Sequence, residues 1–218
     1  MKKFLPLILV GLGLVILLIA VFFIAKSLNN KGAGSLNPEE ANVPEIPVAQ
    51  RPLVELIPTS DGHWLNFKVQ NINVTGAVTM DYELIYSTTT GGQQGVPGTV
   101  KLTGADIERK LLLGSESSGK FRYDEGVDHG TMTIRFRDAG GKFIGKLATD
   151  FHLQSEVTEL TSVDGNFTYV LGKSAKGVFF VTMQTFVTPA ASVAVISDNG
   201  YSVFASDGKP HAGTVATK

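Results

Sequence analysis

Residues 4–25 form one uncharged apolar run, FLPLILVGLGLVILLIAVFFIA. As a helix rising about 1.5 Å per residue it extends roughly 33 Å, enough to cross a hydrocarbon core of about 30 Å. The run therefore sets the rest of the chain beside a membrane. Lys2 and Lys3 stand directly before it, as in a secretory signal. A cleaved signal carries a shorter apolar region, about 7–15 residues, and ends in a small-x-small site. Here the best such site is Ala25-Lys26-Ser27, with a lysine inside it. The reading is an uncleaved signal-anchor over residues 1–26, a single-pass transmembrane helix that meets the lipid bilayer from Phe4 to Ala25. Lys2 and Lys3 on one side nearly balance Lys26 and Lys31 on the other, so the positive-inside rule alone does not orient it. The long body that follows favours a cytoplasmic N-terminus and an extracytoplasmic body. The alternative is a cytoplasmic body tethered to the inner leaflet.

Charge and cysteine content narrow the partners. Residues 1–31 hold four lysines and no acid, while the remainder has 15 Lys/Arg against 20 Asp/Glu. A mildly acidic body argues against nucleic acid, because phosphate binding needs clustered cations. The chain has no cysteine. Disulfides, thiolate catalysis and cysteine-ligated zinc are thereby excluded, as is the lipid-bearing cysteine of a bacterial lipoprotein.

Residues 27–50, SLNNKGAGSLNPEEANVPEIPVAQ, show neither helical nor strand period and read as a Pro/Gly/Asn linker. From Arg51 onward the period becomes two. Strands are expected at 53–57, 64–74, 80–87 and 99–103. In TMTIRFRD, Met132, Ile134 and Phe136 alternate with Thr131, Thr133, Arg135 and Arg137, which predicts one buried and one wet face. A turn at 138–141 leads into KFIGKLATDFHL. Farther on, NFTYVL at 166–171 and GVFFVTMQTFV at 177–187 are expected to pair through residues 172–177. Asp198, Asn199 and Gly200 mark a hairpin turn. The uncharged run VFFVTMQTF would aggregate if exposed, so a central place in a sheet is expected. Residues 104–113 allow either a short helix or a loop followed by a strand.

The pattern predicts an all-β fold: a β-sandwich over residues 51–154, then a hairpin-rich β module or sandwich extension over 155–218. The separate module is the preferred version. Trp64 on an early strand, the Tyr82/Tyr86 strand and the strand through 130–138 resemble the immunoglobulin-like or fibronectin-III-like plan. With the anchor-linker-sandwich order and the segment GSESSGKFRYDEGV at 114–127, the chain resembles uncharacterised membrane-anchored surface proteins of bacteria. That resemblance implies a fold and a place, and no activity.

Chemistry-bearing residues are sparse. Four turns, TSDG at 59–62, SVDG at 162–165, SDNG at 197–200 and ASDG at 205–208, fit hairpin geometry better than Ca²⁺ loops. His63, His129, His152 and His211 show no metal-binding spacing. Ser115, Ser117 and Ser118 do not make a nucleophile elbow. Asp124, Glu125 and Asp128 read as solvated loop acids rather than a glycosidase pair. The sequons at Asn73 and Asn166 read as chance matches. No catalytic, cofactor or metal residue is assigned, and the chain is not read as an enzyme. One surface is singled out: Lys120, Arg122 and Tyr123 in the 114–130 segment, of residue types common in interfaces. The preferred reading of the segment is nonetheless a strand and turn, with Phe121 and Tyr123 packing on one face by period two. The functional expectation is a non-catalytic binding or structural protein of the cell envelope, engaging an envelope protein or a surface polymer. The alternatives are an anchored subunit of a secretion or pilus-like assembly, and a cell-wall hydrolase built on converging Asp124, Glu125, His129 or His152.

Overall fold

The computed structural model describes residues 43–89, 91–187, 195–196 and 200–216. The apolar run at 4–25 lies outside these, as does the spacer up to residue 42. Among the described residues no helix is long and apolar enough to cross a membrane. In chain order the strands are β1 (Leu53–Pro58), β2 (Trp64–Gln70), β3 (Thr79–Ser87), β4 (Gln93–Lys101) and β5 (Ile107–Leu112). Next come β6 (Gly114–Ser117), β7 (Lys120–Tyr123), β8 (His129–Arg137), β9 (Phe143–Ser155) and β10 (Glu159–Thr161). The last are β11 (Thr168–Leu171), β12 (Phe179–Gln184), β13 (Val195–Ile196), β14 (Tyr201–Ala205) and β15 (Gly213–Ala216). The fold is all-β, and every pairing among these strands is antiparallel.

A seven-stranded sheet, β13-β14-β12-β9-β8-β3-β4, forms the middle layer. Its alternation explains what covers it. Met132, Ile134 and Phe136 of β8 are buried, as are Leu147, Phe151 and Leu153 of β9 and Met80 and Leu84 of β3. They share one core with Val54, Leu56, Leu65, Phe67, Val69 and Leu111 from the three-stranded sheet β1-β2-β5. The other face of β8 stays polar. Arg137 Nε donates to Asp81 at 2.6 Å, Arg135 pairs with Glu83 at 3.1 Å, and Thr131 donates to Asp150 at 2.6 Å.

Strands β12 and β14 lack this alternation because both their faces are covered. Val181, Met183 and Phe204 join the first core. Phe180, Tyr201, Val203 and Ala205 join a second core with Leu160, Phe167, Tyr169 and Leu171 of the small sheet β10-β11-β15. A strand buried on both sides reads as a continuous apolar run, which is why VFFVTM carries no charge. It lies between β9 and β14, in the sheet interior.

Several expectations need correction. Residues 166–171 and 177–187 do not form a hairpin: β11 pairs with β10 and β15, while β12 pairs with β9 and β14. The Gly172 amide donates to the Ala212 carbonyl at 2.8 Å, so the chain leaves the small sheet there and crosses to the wide one. Residues after 154 thus supply strands to the wide sheet as well as the second core. Of the two readings left open for residues 104–113, the loop followed by a strand is the one found: β5 puts Ile107 and Leu111 in the first core. β4 begins at Gln93 rather than near Thr99. It is an edge strand, where Pro97 can sit opposite Glu83 without breaking a central ladder. The spacer also ends early. Ile46 is buried in the first core at 2 % exposure, and Arg51 donates to its carbonyl at 3.0 Å. Residues 43–50 therefore belong to the folded body.

Candidate functional site

The site grows from the end of β5. Leu113 is buried, and its amide donates to the His63 carbonyl at 2.9 Å. The chain then turns outward at Gly114, where a Cβ would lie 2.2 Å from the Arg122 carbonyl oxygen. β6 runs out to Ser117 and β7 returns from Lys120, in the register Gly114↔Tyr123 and Ser117↔Lys120. The two turn residues, Ser118 and Gly119, have φ of 53° and 76°. Two positive angles in a two-residue loop match the twist of a tight hairpin. At the base, the Asp124 amide donates to the Leu113 carbonyl at 3.0 Å. The Tyr86 hydroxyl donates to Asp124 Oδ2 at 2.8 Å. Burial, and then the facing Asp124 carboxylate, push the Tyr86 phenol well above its ordinary value. It therefore remains a proton donor to that carboxylate.

Period two divides the hairpin's side chains. Phe121 and Tyr123 point to one side, and their rings are parallel with centroids 6.4 Å apart. Tyr123 stacks on His63 at 4.0 Å with an interplanar angle of 4°. Phe121 meets the Trp64 ring edge-on at 5.4 Å, and the Lys110 ammonium lies 4.9 Å from the Trp64 ring centre. Phe121 remains 49 % exposed and Tyr123 39 %. His63 is itself held by the turn before β2, where Asp61 accepts from its amide at 3.1 Å. The Thr59 hydroxyl is the main reason that the Asp61 carboxyl lies below its ordinary value.

Two clefts open at the foot of the hairpin and share Tyr123, Asp124 and Glu125. One, of about 430 Å³, is lined also by Thr88, Gln94, Ser115 and Arg122. The other, of about 580 Å³, is lined also by Asp61, His63, Val127 and Phe179. Thr89 ties down the first wall, donating to the Glu125 carbonyl through both its amide and its hydroxyl, each at 3.2 Å.

Of the residues singled out in the sequence, Tyr123 and Arg122 line a cleft, whereas Lys120 sits at the exposed hairpin tip. Residues 114–123 form a hairpin, the strand-and-turn version expected within the 114–130 segment, and β8 begins at His129. Phe121, His63 and Trp64 belong to the same surface. Their signal was an aromatic at the first position of β2, but the partner lies across more than fifty residues of chain. His129 and His152 stand opposite each other on β8 and β9, with His129 paired to Asp128 at 2.5 Å and His152 bonded to the Thr161 carbonyl at 2.8 Å. Neither lines the clefts that hold Asp124 and Glu125. Among the described residues no group of three or more His, Cys, Asp or Glu side chains is arranged to hold a metal. The described turn carboxylates serve their own backbones: Asp61, Asp164 and Asp207 each accept from the amide two residues on. What the surface offers is contact: two half-open rings on a rigid mount, beside clefts lined by hydroxyl, amide and charged groups. The fold places the chain in the all-β class. No protein-family model matches it, and no curated protein matches it either.

Proposed function

We propose that this chain is a non-catalytic binding protein of the cell envelope, anchored by a single transmembrane helix at residues 4–25 and carrying its body outside the cytoplasm. The body is an immunoglobulin- or fibronectin-III-like sandwich, extended after residue 154. The strand order supports that reading: the fifth strand rejoins the first two in one layer, while β8 and β9 rejoin β3 and β4 in the other. The binding surface is the β6–β7 hairpin. The observation that carries it is the pair Phe121 and Tyr123, half exposed yet fixed on Trp64 and His63. A monomer seldom leaves two adjacent large rings open on a rigid hairpin without a use for them.

The test is made in intact cells with a photo-crosslinking amino acid in place of Lys120 and a tag after Lys218. Added protease should remove the tag without lysis, and crosslinking should attach an envelope component. A tag protected until the cytoplasmic membrane is broken would overturn the location. Crosslinking no stronger than from the wet face of β8, with the same group in place of Thr133, would overturn the binding surface.

A further inference from the structure

Resting on that binding surface, we infer that the second cleft takes a lysine side chain from a basic segment of a partner protein. The ammonium lies among Asp61, Asp124 and Glu125, and the aliphatic stem lies on Val127, Leu153 and Phe179.

Three features favour this occupant. The first is charge. Those three acids line the cleft, and among the described residues no lysine or arginine does. The neighbouring cleft differs, because Arg122 is part of its wall. An anionic ligand would be repelled from the second cleft and a cation drawn in. The second is the state of the carboxylates. The Thr59 hydroxyl and the His63 amide both donate to Asp61 Oδ1, and the Tyr86 hydroxyl donates to Asp124 Oδ2. Each of these two groups keeps its other oxygen for a ligand. Glu125 is held through its carbonyl, by Thr89, which leaves its carboxylate open. A compact ammonium with three donors suits single oxygens, whereas a guanidinium gains most from carboxylates with both oxygens open. The third is the floor. Leu153 belongs to the first core, and Val127 and Phe179 pack against it. The apolar wall is therefore in place before anything binds. A lysine stem covers such a surface while its charged end stays among polar groups.

A free amine fits less well. It would fill the cleft and leave Phe121 as open as before, since that ring lines neither cleft. Tyr123 is common to the cleft wall and to the ring pair. A peptide with its lysine in the cleft can run on past Tyr123 and cover Phe121 as well.

The experiment uses the full chain in uncharged detergent at low salt, with a fluorescently labelled octapeptide of alternating lysine and alanine. The expected result is saturable binding that Glu125→Gln weakens about fivefold or more, without moving the urea midpoint. Acetylating the peptide lysines should abolish binding, because the charge is lost. Diaminopropionic acid in their place keeps the charge without the stem and should bind more weakly, and arginine in their place should not bind more tightly. Glu159 stands on β10 and lines neither cleft. Glu159→Gln makes the same change in net charge and should leave binding within about twofold. No binding, equal losses from the two Glu→Gln variants, undiminished binding of the short-stemmed peptide or tighter binding of the arginine peptide would overturn the lysine site. Spermidine displacing the peptide at concentrations below the peptide's own Kd would overturn the protein occupant in favour of a free amine. If the lysine site fails, a protein crosslinked through position 120 in cells leaves the binding-surface reading standing, and absence of any crosslink removes both.

Discussion

The residue most exposed to a quantitative test is Ile46. It belongs by composition to the proline-rich spacer, yet it is 2 % exposed and sits where a Cβ on Gly145 would meet its Cγ1 at 2.6 Å and its Cδ1 at 2.7 Å. Ile46→Ala removes three buried carbons, which at about 0.8 kcal/mol each gives roughly 2.4 kcal/mol of lost transfer energy. The cavity left behind brings the cost to about 2–4 kcal/mol. Gly145→Ala alone should cost about 1–3 kcal/mol through overpacking. The double variant should be less damaging than the sum by about 1 kcal/mol, because the alanine Cβ at position 145 occupies the vacated space. Trp64 is the chain's one tryptophan, so urea unfolding of the full chain in detergent can be followed by its fluorescence. With a urea dependence of roughly 2 kcal/mol per molar, the Ile46→Ala midpoint should fall by about 1–2 M. A fall below about 0.2 M, or strict additivity in the double variant, would refute the placement of Ile46 in the core.

Three further outcomes follow from the same packing. Burial opposes ionisation of Asp164, but hydrogen bonds from Ser162, Tyr201 and Asn166 outweigh it and lower its carboxyl to about 2. Its contribution to stability is therefore present above the unfolded value, near 3.9, and is lost as pH falls through about 2. The stability gap between the native chain and Asp164→Asn should accordingly narrow between pH 4 and 2, and a constant gap in urea midpoints would contradict this. Gly62 has φ +70° and faces the Phe179 ring, whose Cε1 would lie 2.4 Å from a new Cβ. Gly62→Ala should cost about 2–4 kcal/mol in the same unfolding assay. Arg137 bonds Asp81 and the Gly141 carbonyl while its guanidinium lies 3.7 Å from the Phe143 ring centre. Arg137→Lys keeps the charge but loses the fork and the stack, and should cost about 1 kcal/mol.

The strands were legible where burial is one-sided. Met132, Ile134 and Phe136 alternate with polar residues because only one face of β8 is covered, and the written pattern matches the structure. Where tertiary context overrides local chemistry the reading failed. The glycines and Pro97 of β4 argue against a strand, and only an edge position makes them acceptable. The glycines at 172 and 177 look like the ends of a hairpin turn, but the chain there changes sheets. Ile46 is a single apolar residue among prolines and has no period to reveal it. The site shows the same division. Arg122 and Tyr123 stand out by residue type, and period two puts Phe121 beside Tyr123. Their mounts, His63 and Trp64, come from a distant turn, and no local pattern announces a contact over that separation.

Strands β12 and β14 serve both cores, and this sets an order of dependence within the body. The small sheet has no other apolar partner among the described elements, so its core cannot persist without that shared wall. The reverse does not hold: the small sheet can lift away while the wide sheet and its larger core stay closed. Amides of β10 and β11 should thus exchange with solvent through a local opening, and those of β8 and β9 only when the whole body opens. Damage confined to the small sheet would stay local, whereas damage in the wide sheet would reach everything.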